Sequence, residues 1–177
     1  MPHVFEIAPT GRAKCRGCNQ LIERGTLRFG ERIANPFGEG EATLWFHPRC
    51  AAYKRPEPFL EALPAAPASL SDTEELEQVA REGLAHGRLP RIDGADKAPT
   101  SQAKCRQCRE PIARGTWRIR LVFFEDGRFS PGGFVHLDCR QAYFEREDIL
   151  RALLHFSAKL DQDERLDLER AMRTGQD

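Results

Sequence analysis

All six cysteines of this chain fall into two sets of one form, and a histidine stands at the same place in each. The first set reads Cys15-x2-Cys18-x28-His47-x2-Cys50, the second Cys105-x2-Cys108-x27-His136-x2-Cys139. Two short chelating pairs separated by a longer excursion can close a tetrahedron around one ion. Three thiolates and one imidazole suit Zn2+, in a structural site with no open position for water. Disulfides explain less, because three cysteines per set cannot all pair internally and each histidine would be left without a role. A thioredoxin-like Cys-x2-Cys needs a βαβ setting that the pattern lacks. Iron is the alternative ion, but a histidine ligand and the lack of any sign of a redox partner weigh against it. Two zinc ions, one per set, are therefore expected. His3, His86 and His155 have no ligand partners nearby in sequence and read as solvated or core residues.

The positioning elements come in two copies. Ala13-Lys14-Cys15-Arg16-Gly17-Cys18 recurs as Ala103-Lys104-Cys105-Arg106-Gln107-Cys108. Arg24-Gly25-Thr26-Leu27-Arg28 recurs as Arg114-Gly115-Thr116-Trp117-Arg118, and Trp45-Phe46-His47 as Phe134-Val135-His136. Phe59-Leu60-Glu61-Ala62-Leu63 matches Ile149-Leu150-Arg151-Ala152-Leu153. The offset stays at 89–90 residues, so this is a duplicated domain and not a solenoid repeat. We expect a first unit over residues 1–90, a linker over 91–99 (the core of the turn-rich stretch Arg88–Pro99), and a second unit over 100–177.

Within each unit the Cys-x2-Cys should form a tight knuckle. Thr26–Ile33 and Thr116–Phe124 are apolar and β-branched and read as strands. Residues 34–41 and 125–133 are rich in turn formers and read as loops. A second strand leads into each His-x2-Cys, and a short helix follows. Ser71-x-x-Glu74 and Asp161-x-x-Glu164 have the form of reciprocal helix caps. After the first of these, Leu76, Val79, Ala80, Gly83 and Leu84 share one helical face, with Gly87 as the stop. The fold class expected is thus small, zinc-stabilised α+β domains, each a short β-sheet followed by helices. Such small units bury little surface, so metal binding, worth roughly 10 kcal/mol or more, would supply much of their folding free energy.

Composition narrows the function. Across 177 residues, 27 Lys+Arg balance 27 Asp+Glu. The balance is local, however: residues 1–60 carry nine basic and six acidic residues, and 100–146 nine and five, while 61–99 carry four and eight, and 147–177 five and eight. Each cysteine-bearing segment is basic and each tail acidic, and local sign is what a polyanion meets when it docks. No apolar run approaches the roughly 18–20 residues of a membrane helix, and Met1–Thr10 does not read as a secretion signal. No unused cysteine, Ser-His-Asp set or glycine-rich phosphate loop points to an enzyme, and the length leaves no room for a polymerase or ligase catalytic domain.

These motifs resemble the poly(ADP-ribose) polymerase-type zinc finger, also found in a nick-sensing DNA ligase and in plant DNA 3′-phosphatases. Thr10-Gly11-Arg12-Ala13-Lys14-Cys15 is similar to that family's lead-in. Ile22 and Ile112 match its apolar position after the knuckle. Leu27-Arg28 and Trp117-Arg118 match its strand opening, and Trp45-Phe46-His47 its approach to the histidine. The resemblance implies two tandem Cys3His fingers that recognise DNA ends, nicks and other breaks, with arginines on the phosphates and apolar side chains stacked on the exposed base pair. Carried over by position, Arg12, Arg28 and Arg118 are the phosphate-contact candidates, and Phe37 and Phe124 the stacking candidates. Gln102 stands where the first unit has Arg12. The expected partner is broken or nicked duplex DNA, together with a repair enzyme, in whatever compartment holds the DNA. The alternative is a zinc-stabilised protein-interaction scaffold, which the zero net charge and acidic helices suit.

Overall fold

The structure is a computed structural model that describes residues 2–174. The chain divides into two compact units, one of residues 1–90 with 124–129 and one of 91–123 with 130–177.

In the first unit, β1 (Val4–Ile7), β2 (Leu27–Ala34) and β3 (Glu41–Phe46) form an antiparallel sheet in that order. The chain then turns into α1 (Pro48–Lys54), α2 (Pro56–Ala62) and, after a 3-10 turn at Leu63–Ala65, α3 (Thr73–Ala85). Pro48 and Pro56 open their helices, where a missing N–H costs nothing. One side of the sheet packs on the helices through Phe29, Phe46 and Phe59, all fully buried. Phe5 joins them with its ring centroid 5.4 Å from Phe29 and 5.8 Å from Phe59, tilted and edge-on, as aromatic quadrupoles prefer. A Cβ on Gly30 would lie 2.6 Å from the Trp45 ring, so the bare backbone at that position admits the indole.

The second unit repeats the plan. Its elements are β4 (Ile92–Lys97), β5 (Trp117–Glu125) and β6 (Arg128–His136), apart from the hairpin tip 124–129 that groups with the first unit, then a 3-10 turn at Leu137–Cys139, α4 (Arg140–Phe144), α5 (Leu150–His155) and α6 (Gln162–Thr174). The strand order is again β4-β5-β6, and Ile119, Val135, Phe144, Leu153 and Leu168 fill the core.

Strands β2, β3 and β5 and the helical tails lie where the sequence places them, and the loop between Ala34 and Glu41 is real. Residues 91–99 are not a linker. They contain β4, which pairs antiparallel with β5, and the Asp93-Gly94 turn signal is an irregularity inside that strand, where the register shifts between Ile92 and Ala95. Residues 125–133 are not a loop either. Asp126 and Gly127 both take positive φ (50° and 75°), the form of a two-residue type I′ turn, so the hairpin strands run almost to its tip.

The two helix caps diverge. At α6 the reciprocal box forms, with Glu164 N–H on Asp161 Oδ1 and Asp161 N–H on Glu164 Oε2, both at 2.9 Å. At α3 it does not. The helix starts at Thr73, after Asp72 in the left-handed region, with no side-chain cap. Asp72 and Glu75 instead face Arg49, at 3.5 and 3.0 Å. On α3, Leu76, Ala80 and Gly83 are buried as expected, whereas Leu84 is exposed.

Candidate metal centres and nucleic-acid interface

Each knuckle is made by backbone hydrogen bonds. Cys15 N–H donates to Gln20 O and Asn19 N–H to Cys15 O, and Asn19 closes the turn at φ 62°. In the second unit Cys105, Glu110 and Arg109 (φ 70°) do the same. The strand end carrying each histidine is tied to its knuckle, with Arg16 N–H on Trp45 O at 2.9 Å and Arg106 N–H on Phe134 O at 2.8 Å. Asparagine tolerates the left-handed region better than most residues; arginine at 109 takes it under the same closure.

This brings together Cys15, Cys18, His47 and Cys50 in one place, and Cys105, Cys108, His136 and Cys139 in the other, with all donor atoms of a group within 4.8 Å of one another. A zinc tetrahedron requires about 3.6 Å between nitrogen and sulfur ligands and about 3.8 Å between sulfurs. His47 Nδ1 lies 3.4 Å from Cys18 Sγ and 4.0 Å from Cys50 Sγ. His136 Nδ1 lies 3.2 Å from Cys108 Sγ and 3.8 Å from Cys139 Sγ. The donor set therefore fits zinc at each site, with Nδ1 as the coordinating nitrogen. His136 Nε2–H donates to Pro111 O at 3.1 Å, which leaves Nδ1 the lone pair for the ion. Backbone N–H groups support the sulfurs: His47 N–H on Cys15 Sγ and His136 N–H on Cys105 Sγ, both at 3.3 Å.

Without a cation the negative sulfurs act on one another. Hydrogen bonds from Cys15 and Cys50 hold Cys18 far below the usual thiol range. Cys15 and Cys18 push His47 up to about 10 and Cys50 well above an ordinary thiol. In the second site burial, the largest influence, raises Cys105, but backbone N–H groups of Cys108, His136 and Gln107 outweigh it and bring the thiol to about 7. Burial and the charge on Cys105 push Cys139 up to about 12. Zinc supplies the positive charge that lets all three sulfurs of a site be thiolates together.

The two sites differ in cover. In the first, Cys15 and Cys50 are buried, and a Cβ on Gly17 would lie 2.8 Å from Cys50 Cβ. Buried Lys54 reaches over to donate to Gly17 O at 2.7 Å. In the second, Gln107 replaces that glycine, and Cys108 is exposed.

The five residues proposed for nucleic acid are placed unequally. Arg12 is exposed just before its knuckle. Phe37 is 77% exposed at the β2–β3 loop, its N–H held by Asn35 Oδ1 at 3.0 Å. Arg28 and Arg118 are both buried. The Arg28 guanidinium lies 3.6 Å over the Trp45 ring and pairs with Glu6. The Arg118 guanidinium lies 3.6 Å over Phe134 and pairs with Asp96 through Nε at 2.9 Å and Nη2 at 3.2 Å. Phe124 is half-buried within the first unit: the Arg55 guanidinium covers one ring face at 3.7 Å, and Phe129 packs 4.9 Å away. It offers less open ring than Phe37.

Glu6 and Asp96 escaped the sequence reading. Their signal is the repeat itself, which continues upstream of the cysteines: Glu6-Ile7-Ala8-Pro9-Thr10 recurs as Asp96-Lys97-Ala98-Pro99-Thr100 at an offset of 90.

With this geometry in place, similarity to known proteins is decisive. A family model described as the poly(ADP-ribose) polymerase and DNA-ligase zinc-finger region matches residues 6–85. Residues 6–85 thus form a poly(ADP-ribose) polymerase-type (PARP-type) zinc-finger region. The poly [ADP-ribose] polymerase of Drosophila melanogaster is 26% identical over 157 residues, 78% of this chain and 16% of that protein. The one from Sarcophaga peregrina is 24% identical over 152 residues, 71% of this chain and 14% of that protein. Poly [ADP-ribose] polymerase 1 of Gallus gallus is 37% identical over 62 residues, 34% of this chain and 6% of that protein. The insect alignments are too long to be confined to the first unit, and the chain spans about one-sixth or less of the length of these relatives. Two tandem PARP-type fingers, each able to hold one zinc ion, account for the fold and the donor sets.

Proposed function

We propose that this chain is a zinc-dependent DNA-binding module that recognises strand breaks, nicks or ends and serves DNA repair or damage sensing. The observation that carries the reading is Phe37. Phe37 is left 77% exposed on a loop, with the Arg128 guanidinium 4.8 Å from its ring, in a unit that buries Phe29, Phe46 and Phe59 completely; that leaves ring surface available to a partner. A base pair uncovered at a break presents a flat apolar face, and intact duplex does not, so stacking selects structure over sequence. Arg12, in the basic cysteine-bearing segment, supplies phosphate attraction, and Arg28 and Arg118 sit at equivalent strand positions in the two fingers. Phe124 has one face open at most, so it contributes less stacking than Phe37. The partner would be broken duplex, with a repair enzyme recruited alongside, in the compartment that holds the DNA.

The test is titration of nicked, gapped and intact duplexes of one sequence at a single salt concentration, using the zinc-loaded chain. Tighter binding to the interrupted duplexes is expected. Equal affinity for all three removes break recognition, and no binding at modest salt favours a protein-interaction scaffold.

A further inference from the structure

In both fingers the arginine after the first strand position is built into the same three-part arrangement. Glu6 and Arg28 are directly opposite one another across β1 and β2, and Asp96 and Arg118 across β4 and β5. In each, the carboxylate engages the Nε/Nη2 edge of the guanidinium, and an aromatic ring supports its face at 3.6 Å. That ring, Trp45 or Phe134, stands two residues before the histidine of its metal site. Among the described residues neither Nη1 has a hydrogen-bond partner, and neither is sealed from solvent. A guanidinium has five N–H groups in a rigid fork, so fixing one edge and one face leaves the remaining corner with a defined direction.

We infer that Glu6 and Asp96 are positioning residues for phosphate recognition: each carboxylate locks its arginine on the aromatic ring so that the Nη1 corner meets one backbone phosphate. The inference rests on the DNA-binding reading and deepens it. A free arginine would lose rotamer freedom on meeting the phosphate, whereas this one has lost it already. A carboxylate beside a phosphate is repulsive, but Glu6 and Asp96 sit on the far edge of the guanidinium, and glutamate is itself partly solvated. The duplication argues against accident, because Glu and Asp reach the same guanidinium edge with side chains of different length, on strands of different register regularity.

The experiment is nicked-duplex binding, with its salt dependence, by the full zinc-loaded chain and by Glu6→Ala, Glu6→Gln, Arg28→Ala and the Glu6→Ala/Arg28→Ala pair. Retention of two zinc ions and of the circular dichroism spectrum checks the fold of each. Arg28→Ala should weaken binding and flatten the slope of log K against log salt by about 0.9. Glu6→Ala should weaken binding roughly three- to ten-fold, Glu6→Gln less because it keeps a neutral acceptor, and Glu6→Ala should add nothing once Arg28 is gone. A merely structural carboxylate would give losses that multiply in the double variant. Tighter or unchanged binding by Glu6→Ala and Glu6→Gln, or multiplying losses, overturns the inference. A wild-type chain that ignores DNA overturns the break-binding reading instead.

Discussion

Histidine 47 shows what a single residue reveals about the metal centre. With no cation present, the neighbouring Cys15 and Cys18 sulfurs raise its pKa to about 10, so at neutral pH its imidazole is protonated. Cys50 is likewise held as a thiol by the same two sulfurs. A raised pKa means the proton is bound throughout the range below it. Zinc entry into the first site near pH 7 should therefore release protons, with His47 and Cys50 among their sources. Calorimetric zinc titration in two buffers of different ionisation enthalpy reads that release. The released number should fall as the starting pH rises toward 10, and uptake with no buffer dependence at pH 7 would contradict it. Phe37 is the residue whose removal separates folding from binding. Phe37→Ala leaves a loop held by Asn35 and gives up little beyond the contact of its exposed ring with Arg128, so melting temperature should shift little. Nicked-duplex affinity should drop by roughly 1–3 kcal/mol, as for loss of one stacked base. A large fall in stability with unchanged DNA affinity would assign the ring to the core after all.

At the level of elements, the metal pairs and the strands flanking them were legible because their signals are local: ligand spacing, β-branched runs and a repeated Trp/Phe-x-His approach. What was misread needed tertiary information or a finer reading of turns. Asp126-Gly127 is the sequence signature of a two-residue hairpin, and the density of glycine and proline around it obscured that. Asp93-Gly94 looks like a turn in isolation, yet the strand passes through it because Arg120 and Ser157 hold the irregularity. Arg120 Nη2 donates to Asp93 O at 2.8 Å, Ala95 N–H donates to Ser157 Oγ at 2.9 Å, and Ser157 Oγ donates to Leu153 O. Gly94 itself has φ 99°, and a Cβ there would lie 2.3 Å from Phe156 O. Gly94→Ala should therefore destabilise the second unit by roughly 2–4 kcal/mol, through strain and displacement of backbone. Gly25→Ala at φ 83°, with no atom near its missing Cβ, should cost only about 1 kcal/mol. Denaturant unfolding of the two variants checks the ranking, and equal losses would mean that the crowding at Gly94 relaxes freely. Ser71-x-x-Glu74 failed as a cap for a related reason: which carboxylate caps a helix depends on which arginine claims its neighbours, and Arg49 is distant in sequence.

On the scale of the whole chain, duplication copied the chemistry of the sites but not their protection. The first site packs Gly17 under Cys50 and closes over with Lys54, while the second has Gln107 and an exposed Cys108. A chelator removes zinc by taking ligand positions in turn, and a thiolate open to solvent gives it the first one. The core of each unit lies between sheet and helices, so loss of one ion should loosen a knuckle before it unfolds the unit. A metallochromic chelator in excess should thus release two zinc ions in two phases, with the faster assigned to Cys105, Cys108, His136 and Cys139. Alkylation of the thiols followed by peptide mass mapping makes that assignment, and Cys108 should be labelled first. Gly17→Gln, which imports the second site's residue into the first, should bring the slow phase toward the fast one because its side chain must displace Cys50. Release in one phase from the wild-type chain, or early labelling at Cys18, would mean that exposure of a single sulfur does not govern access to the ion.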